Sequence, residues 1–143
     1  MQKINSEILE RKITFLFFEN PKRTFNVKQI KLDRNFIDTF IKGKAALSES
    51  ETFTIVDDGS NVQVIIGYSS TNTNRVNIPV EWEENGMTED ISFNANLFRD
   101  MLSANKECTS AVLEVSNQGL ARITFRVDDY DSTYYIVATQ GVD

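Results

Sequence analysis

Apolar and polar residues change their spacing twice along the chain, each time in the same way. In residues 30–41, IKLDRNFIDTFI, apolar side chains first alternate with polar ones and then recur at helical intervals. Residues 91–102, ISFNANLFRDML, make the same change at the same place. Each stretch therefore predicts a short strand that runs directly into an amphipathic helix. The matching apolar positions are Ile30, Leu32, Phe36, Ile37, Phe40 and Ile41 in the first stretch and Ile91, Phe93, Leu97, Phe98, Met101 and Leu102 in the second.

Asp33 and Asn94 occupy the same place in the two stretches, immediately before the predicted helices. Their side chains can accept hydrogen bonds from the first free backbone N–H groups of a helix, so both are predicted N-caps. In the first helix the apolar face is expected to pack onto a sheet, which leaves Arg34, Asp38 and Lys42 toward solvent, with Lys44 near the helix end. In the second helix the expected exposed positions are Arg99, Ser103 and Lys106.

Strand-like segments follow each predicted helix. Residues 51–70 and 75–82 follow the first helix, and residues 109–127 and 132–139 follow the second. Turn residues interrupt both sets at matching places, Asp58-Gly59 in the first and Gln118-Gly119 in the second. The sequence thus predicts an α+β fold built from a duplicated β-α-β-β-β unit, residues 25–82 and 89–140, with two helices on one face of antiparallel sheets.

Length and charge narrow the class of protein. With 143 residues the chain is long enough for one domain with a real core. Its single cysteine, the lack of a signal-peptide pattern and the shortness of its apolar run ITFLFF, residues 13–18, predict a soluble cytoplasmic protein without a membrane partner. The formal net charge of −6 disfavours tight, nonspecific binding to nucleic acid.

Residues suited to catalysis are scarce. The chain has no histidine, which removes the commonest general base and zinc ligand, and Cys108 therefore has no histidine partner. The carboxylates of Asp57 and Asp58, and those of Asp128, Asp129 and Asp131, could bind a metal, but turn chemistry accounts for them better. We therefore expect no enzyme, no metal and no cofactor.

The stretch AVLEVSNQGLARITFRVDDYDSTYYIVAT, residues 111–139, carries a family resemblance, together with GYSSTNTNRVNIPV, residues 67–80. Residues 111–139 are similar to the final three strands of eukaryotic, archaeal and tailed-bacteriophage sliding clamps, including the paired Tyr134 and Tyr135, and residues 67–80 resemble the edge hairpin of a clamp's C-terminal domain. The doubled unit, over residues 25–140, resembles this family of ring-shaped DNA polymerase processivity factors. Residues 1–24, with ERKITFLFFENPKRTF beginning at Glu10, resemble the last strand of a missing N-terminal domain and a connector. Residues 25–143 then correspond to a single clamp-like domain.

The resemblance implies a mechanical role. Clamps encircle duplex DNA without reading its sequence and tether the polymerase, so the expected partners are duplex DNA, polymerase and clamp-loader peptides, and further copies of the chain in a bacteriophage-type homo-oligomeric ring. The DNA-facing helix positions it implies are Arg34, Lys42, Lys44, Arg99 and Lys106. The net charge is +1 over residues 33–47 and zero over residues 94–107, so weak contact with DNA is expected.

Two protein-binding surfaces are also implied by the resemblance. The pocket for partner peptides corresponds to Leu120, Tyr135, Val137 and Ala138, with Pro21 or Phe25 beside it, although these residues also suit plain strand core. The subunit boundary would pair residues 75–81 with residues 12–18 of another chain, and its positions are Ile13, Phe15, Phe17, Arg75, Val76, Ile78 and Val80. The alternative is a β-rich protein-interaction or virion-assembly module that uses the same edges and has no role on DNA.

Overall fold

A computed structural model describes residues 27–59, 61–68, 74–81, 90–116 and 118–139. Eight strands and two helices lie in these ranges. The first half of the chain provides β1 (Val27–Lys31), α1 (Arg34–Ala46), β2 (Thr52–Asp57), β3 (Val62–Ile66) and β4 (Val76–Val80). The second half provides β5 (Ile91–Asn94), α2 (Ala95–Ala104), β6 (Ser110–Ser116), β7 (Leu120–Val127) and β8 (Tyr130–Val137).

The strands form two antiparallel sheets of four, and each sheet combines strands from both halves of the chain. Sheet I has the order β1-β6-β7-β8, and sheet II has the order β4-β3-β2-β5. The first strand of each half therefore lies in the sheet of the other half. Ile30 of β1 is opposite Leu113 of β6, and Ile91 of β5 is opposite Ile55 of β2. The predicted α+β class is confirmed, with two helices and two antiparallel sheets.

Both helices begin where the sequence predicts. The Asp33 carboxylate accepts a hydrogen bond from the backbone N–H of Phe36 at 2.7 Å, and the Asn94 side chain accepts one from the N–H of Leu97 at 2.9 Å. Each bond satisfies one of the backbone donors that a helix start leaves without a partner. The two N-cap predictions are confirmed.

A cluster of aromatic rings holds the helices against each other and against sheet II. Phe98 of α2 lies edge-on to Phe40 of α1, with ring centroids 4.9 Å apart, and stacks on Phe53 of β2 at 4.7 Å. Phe36 of α1 also meets Phe98 edge-on at 6.3 Å. Edge-on and offset rings at these distances attract one another beyond their shared burial. The two helices consequently lie side by side.

The two helices do not bury all of the same positions, although their apolar patterns match in the sequence. Phe36 is buried, whereas Leu97, which occupies the matching position in the sequence pattern, has 51% of its surface exposed. Conversely, Leu102 is fully buried while its counterpart Ile41 is only half-buried. The apolar pattern that the two stretches share in sequence therefore does not extend to burial at Leu97. The core stripe of α2 is narrower and consists of Ala95, Phe98 and Leu102.

Candidate functional site

The exposed face of α1 carries charges of both signs. Arg34, Asp38 and Lys42 are all exposed and follow one another at four-residue spacing, so they line one side of the helix. Asp33, at the N-cap, adds a second exposed carboxylate. Two cationic and two anionic side chains therefore share this surface, and their formal charges cancel.

Lys44 does not belong to that surface, and its assignment as a DNA-facing residue is wrong. Its side chain is only 1% exposed, because it continues the four-residue spacing of Phe36 and Phe40 on the core side of the helix. The ammonium Nζ donates hydrogen bonds to the backbone oxygens of Ser48 at 3.0 Å and Leu47 at 3.5 Å. These carbonyls lie just past the helix end, where a positive charge is favoured by the helix dipole. Lys44 is thus an internal cap of α1.

The surface of α2 is also nearly neutral. Arg99 is half-buried, and its guanidinium forms an ion pair with the neighbouring Asp100 at 3.0 Å. Lys106 is exposed but lies in the turn after α2, because the helix ends at Ala104 and Asn105 is its C-cap. Of the five predicted DNA-facing residues, Arg34, Lys42 and Lys106 are exposed, Arg99 is partly exposed and Lys44 is buried.

Three of the four predicted pocket residues share the face of sheet I that points away from the core. Leu120 is opposite Val137 in the β7–β8 ladder, and Tyr135 lies two residues before Val137 on the same face. Val137 is 72% exposed. Ala138 points the other way and packs against the core, so its placement in this pocket is wrong. Strand alternation explains the difference, since neighbouring residues face opposite sides.

A row of polar side chains crosses the same face and was not predicted from the sequence. Gln29, Glu114, Arg122 and Tyr135 are direct neighbours across the four strands of sheet I. Arg122 contacts Glu114 through Nε and Nη2, both at 2.8 Å, and Gln29 donates to the second oxygen of Glu114 at 3.5 Å. The Arg122 and Glu114 side chains are only 15% and 11% exposed. We call these four residues the polar row.

The only signal for the polar row in the sequence is an opposite charge on each of two neighbouring strands. Alternation predicts the face of each residue, but only the register of β6 with β7 makes Glu114 and Arg122 neighbours. The polar row lies beside Leu120 and Val137, so this face of sheet I combines two apolar side chains with the ion pair of Glu114 and Arg122.

The strand assigned to the subunit edge corresponds to β4. Strand β4 is an outer strand of sheet II among the described residues, and Arg75 precedes it. Ile78 is buried, and Val76 and Val80 pack against the core, whereas Asn77 and Pro79 are exposed. Of these three apolar side chains, Ile78 is therefore inaccessible to a partner, whereas Val76 and Val80 are half-buried. Ile13, Phe15, Phe17, Pro21, Phe25 and the whole of residues 1–24 lie outside the described residues.

The carboxylate clusters belong to turns. The Asp57 and Asp58 side chains accept hydrogen bonds from the backbone N–H groups of Gly59 at 2.9 Å and Asn61 at 2.6 Å. Asp128 has a φ of 53° in the turn between β7 and β8, and Asp131 pairs with Arg126 at 3.4 Å. In the part of the chain that the structure describes, no group of three potential metal ligands occurs. None of the described helices has the length and apolar content needed to cross a bilayer.

Comparisons of the chain with protein-family models, with curated proteins and with solved structures found no match.

Proposed function

We propose that this chain is a domain of a DNA-encircling ring of the sliding-clamp type, which tethers a polymerase to its template by topology rather than by tight binding. The observation that carries the proposal is the reciprocal exchange of β1 and β5 between the two sheets, with the two helices packed side by side. Such an arrangement follows from a β-α-β-β-β unit that is present twice, with each copy completing the sheet of the other.

The arrangement of the helices suits the inner wall of a ring. Their aromatic sides face the core, so the side of α1 that carries Arg34 and Lys42 points away from the aromatic cluster. Contacts with DNA phosphates give affinity without sequence recognition, and each lost cationic contact weakens the dependence of binding on salt. Because carboxylates lie among the cations of α1, we expect weak contact that permits sliding.

A second candidate function is a protein-interaction module with no role on DNA. The balanced charge of the exposed helix surfaces, once Lys44 is removed from the DNA-facing set, favours this alternative. The polar row, beside Leu120 and Val137 on the outer face of sheet I, would then be the working surface.

Retention on circular DNA separates the two candidates. The full chain is used at a concentration where light scattering shows an assembly. It is incubated with nicked circular duplex DNA and, separately, with linear duplex DNA of the same sequence. Gel filtration in moderate salt follows. A ring predicts retention on the circle and loss from the linear DNA, whose ends let it slide off. Equal behaviour on both DNAs, or a strict monomer at every concentration, contradicts the clamp proposal and leaves the interaction module.

Charge reversal on α1 tests which surface meets the DNA. The double variant Arg34→Glu with Lys42→Glu is expected to lose most of its retention on the circle while it keeps its assembly state. Arg126→Glu is the matched control, because Arg126 is also exposed but lies on sheet I. An equal loss in the control contradicts the placement of DNA against the helices.

A further inference from the structure

A cleft of about 1030 Å³ opens between the outer strand of sheet I and the outer strand of sheet II. Its walls include Gln29 and Lys31 of β1 and Pro79 and Val80 of β4. Phe36, in the first turn of α1, and Val62, at the start of β3, also line it. The cleft is therefore bordered by two strand edges and has an apolar part.

The backbone of β1 has bonding groups directed at this cleft. The N–H of Leu32 donates to the carbonyl of Ala111 at 2.9 Å, which continues the ladder between β1 and β6. In an antiparallel strand, alternate residues turn their N–H and C=O to the same neighbour. Ile30 and Leu32 therefore bond toward β6, whereas the backbone groups of Gln29 and Lys31 point away from it. No backbone group among the described residues bonds Gln29 or Lys31 on that side.

The facing edge, β4, is a poorer partner for a further strand. The N–H of Asp58 donates to Asn61, so alternation places the bonding groups of Val62 and Val64 toward β4. In β4, Ile78 then bonds toward β3, and the backbone of Asn77 and Pro79 points outward. Proline has no backbone N–H to donate, so it weakens the pairing of a further strand with a sheet edge. An incoming strand thus finds more backbone partners on β1 than on β4.

In the second half of the chain, β5 matches β1, and the outer side of β5 already has a bonding partner. Ser92 occupies in ISFN the place that Lys31 occupies in IKLD. The carbonyl of Ser92 accepts the backbone N–H of Thr139 at 2.8 Å and also faces the Thr139 hydroxyl at 3.3 Å. Thr139, two residues past the end of β8, thus already bonds the outer side of β5, and the outer side of β1 offers the same kind of acceptor at Lys31.

We propose that the cleft binds an extended peptide segment of a partner protein, which adds to sheet I as a strand beside β1. The charges of the cleft define the partner further. Among the described residues of its walls, Asp33 and Glu81 contribute two carboxylates against the one ammonium of Lys31, and the whole chain has a net charge of −6. The segment therefore carries a basic side chain toward Asp33 and Glu81, and alternate apolar side chains that reach Phe36 and Val62. This interaction is independent of the proposed function on DNA.

A short synthetic peptide tests the proposal on the full chain. The probe is acetyl-Thr-Val-Arg-Val-Thr-amide at millimolar concentration, and the readout is the backbone amide shifts in NMR spectra of the labelled protein. We expect the largest shifts, and slower hydrogen exchange, at the amides of Gln29 and Lys31. Shifts spread over other surfaces, or no shifts, would overturn the proposal.

Two N-methylated forms of the probe test strand addition itself. One form is methylated at both valines, and the other at the arginine and the second threonine. Only alternate residues of an added strand bond to β1, so one form is expected to lose at least about tenfold in affinity and the other to bind nearly as well as the parent. Equal binding of the two forms contradicts strand addition.

Replacing the arginine of the probe by glutamate should also weaken binding, and an unchanged affinity contradicts the proposed charge preference.

Proline substitution supplies the test on the protein. Lys31→Pro removes an N–H that points into the cleft without removing a bond to β6, so the variant is expected to fold and to lose binding of the probe. Asn77→Pro, on the outward side of β4 and outside the cleft, is the matched control and should bind normally. Full binding by Lys31→Pro overturns the proposal. If Lys31→Pro does not fold, the comparison of the two methylated probes decides.

Concentration-dependent shifts of the same amides without any probe would mean that a second copy of the chain occupies the cleft, which also overturns the proposal.

Discussion

At the scale of single residues, Lys44 shows how position overrides residue type. Its stem lies in the core stripe with Phe36 and Phe40, and its ammonium reaches the carbonyls of Leu47 and Ser48. A lysine can bury its aliphatic stem when its charged end finds hydrogen-bond acceptors. The residue therefore stabilises the end of α1 instead of contributing to a cationic surface.

Lys44→Glu should destabilise the fold by about 2–4 kcal/mol, because it places a buried negative charge beside backbone carbonyls. Lys44→Met, which keeps the apolar stem, should cost about 1–2 kcal/mol for the lost hydrogen bonds. Urea unfolding followed by circular dichroism measures both. Lys42→Met is the control on the exposed face and should change stability little. Equal stability of Lys44→Glu and the parent protein would contradict the burial of this side chain.

Phe98 joins α1, α2 and sheet II through its contacts with Phe40 and Phe53. Phe98→Ala should lower the free energy of unfolding by about 3–5 kcal/mol, because it removes a fully buried ring from a well-packed cluster. Leu97→Ala, one position earlier and exposed, should cost far less. Similar losses in thermal or urea unfolding would show that α2 is rotated from the orientation described.

The sequence predicts interactions of single residues when the partners are close along the chain, and it misses those whose partners are distant. Asp33 and Asn94 could be identified as caps because a cap bonds within its own helix turn. The resemblance places Lys44 on the DNA-facing side, which is wrong because its four-residue spacing from Phe40 puts it on the core side of α1. The pairing of Glu114 with Arg122 could not be derived, since it depends on the register between two strands.

At the scale of elements, Gly43 sets how closely α1 approaches sheet II. A Cβ atom placed on Gly43 would lie 3.0 Å from Cγ1 of Val76 and 3.3 Å from Cδ1 of Ile66. The helix and the sheet are therefore in contact through the glycine backbone. Sequence periodicity predicted the helix and its apolar face, but the strand that it packs against follows only from the tertiary fold.

Gly43→Val should destabilise the protein by about 1–3 kcal/mol, because the added methyl groups overpack the contact between α1 and β4. Adding Val76→Ala should recover part of that loss by making room. Ala45→Val, at an exposed position of the same helix, reports the cost of a β-branched residue alone and should be small. Additive effects of Gly43→Val and Val76→Ala in urea unfolding would contradict direct contact between the two positions.

At the scale of the whole molecule, the two sheets make each half of the chain dependent on the other. Strand β1 has its neighbour in β6, and β5 has its neighbour in β2. The sequence predicted two β-α-β-β-β units, but it did not predict that their first strands are exchanged. Alternation within a strand specifies its two faces and leaves the identity of its neighbours open.

Residues 1–88 and 89–143, produced as separate chains, should each lack a cooperative unfolding transition, because each fragment lacks one strand of one sheet and keeps only one strand of the other. Mixed in equal amounts, they should recover the near-UV circular dichroism of the intact chain. A cooperative transition in either fragment alone would contradict this mutual dependence.

The exchange of first strands also sets the timing of folding in the cell. Gln29 leaves the ribosome 85 residues before Glu114, its neighbour in the finished sheet. At translation rates of about 5–20 residues per second, β1 waits on the order of ten seconds for its neighbour. During that interval Ile30, which is fully buried in the finished protein, stays exposed on the nascent chain. Yield in the cell should therefore respond to chaperones and to synthesis rate even when the finished protein is stable.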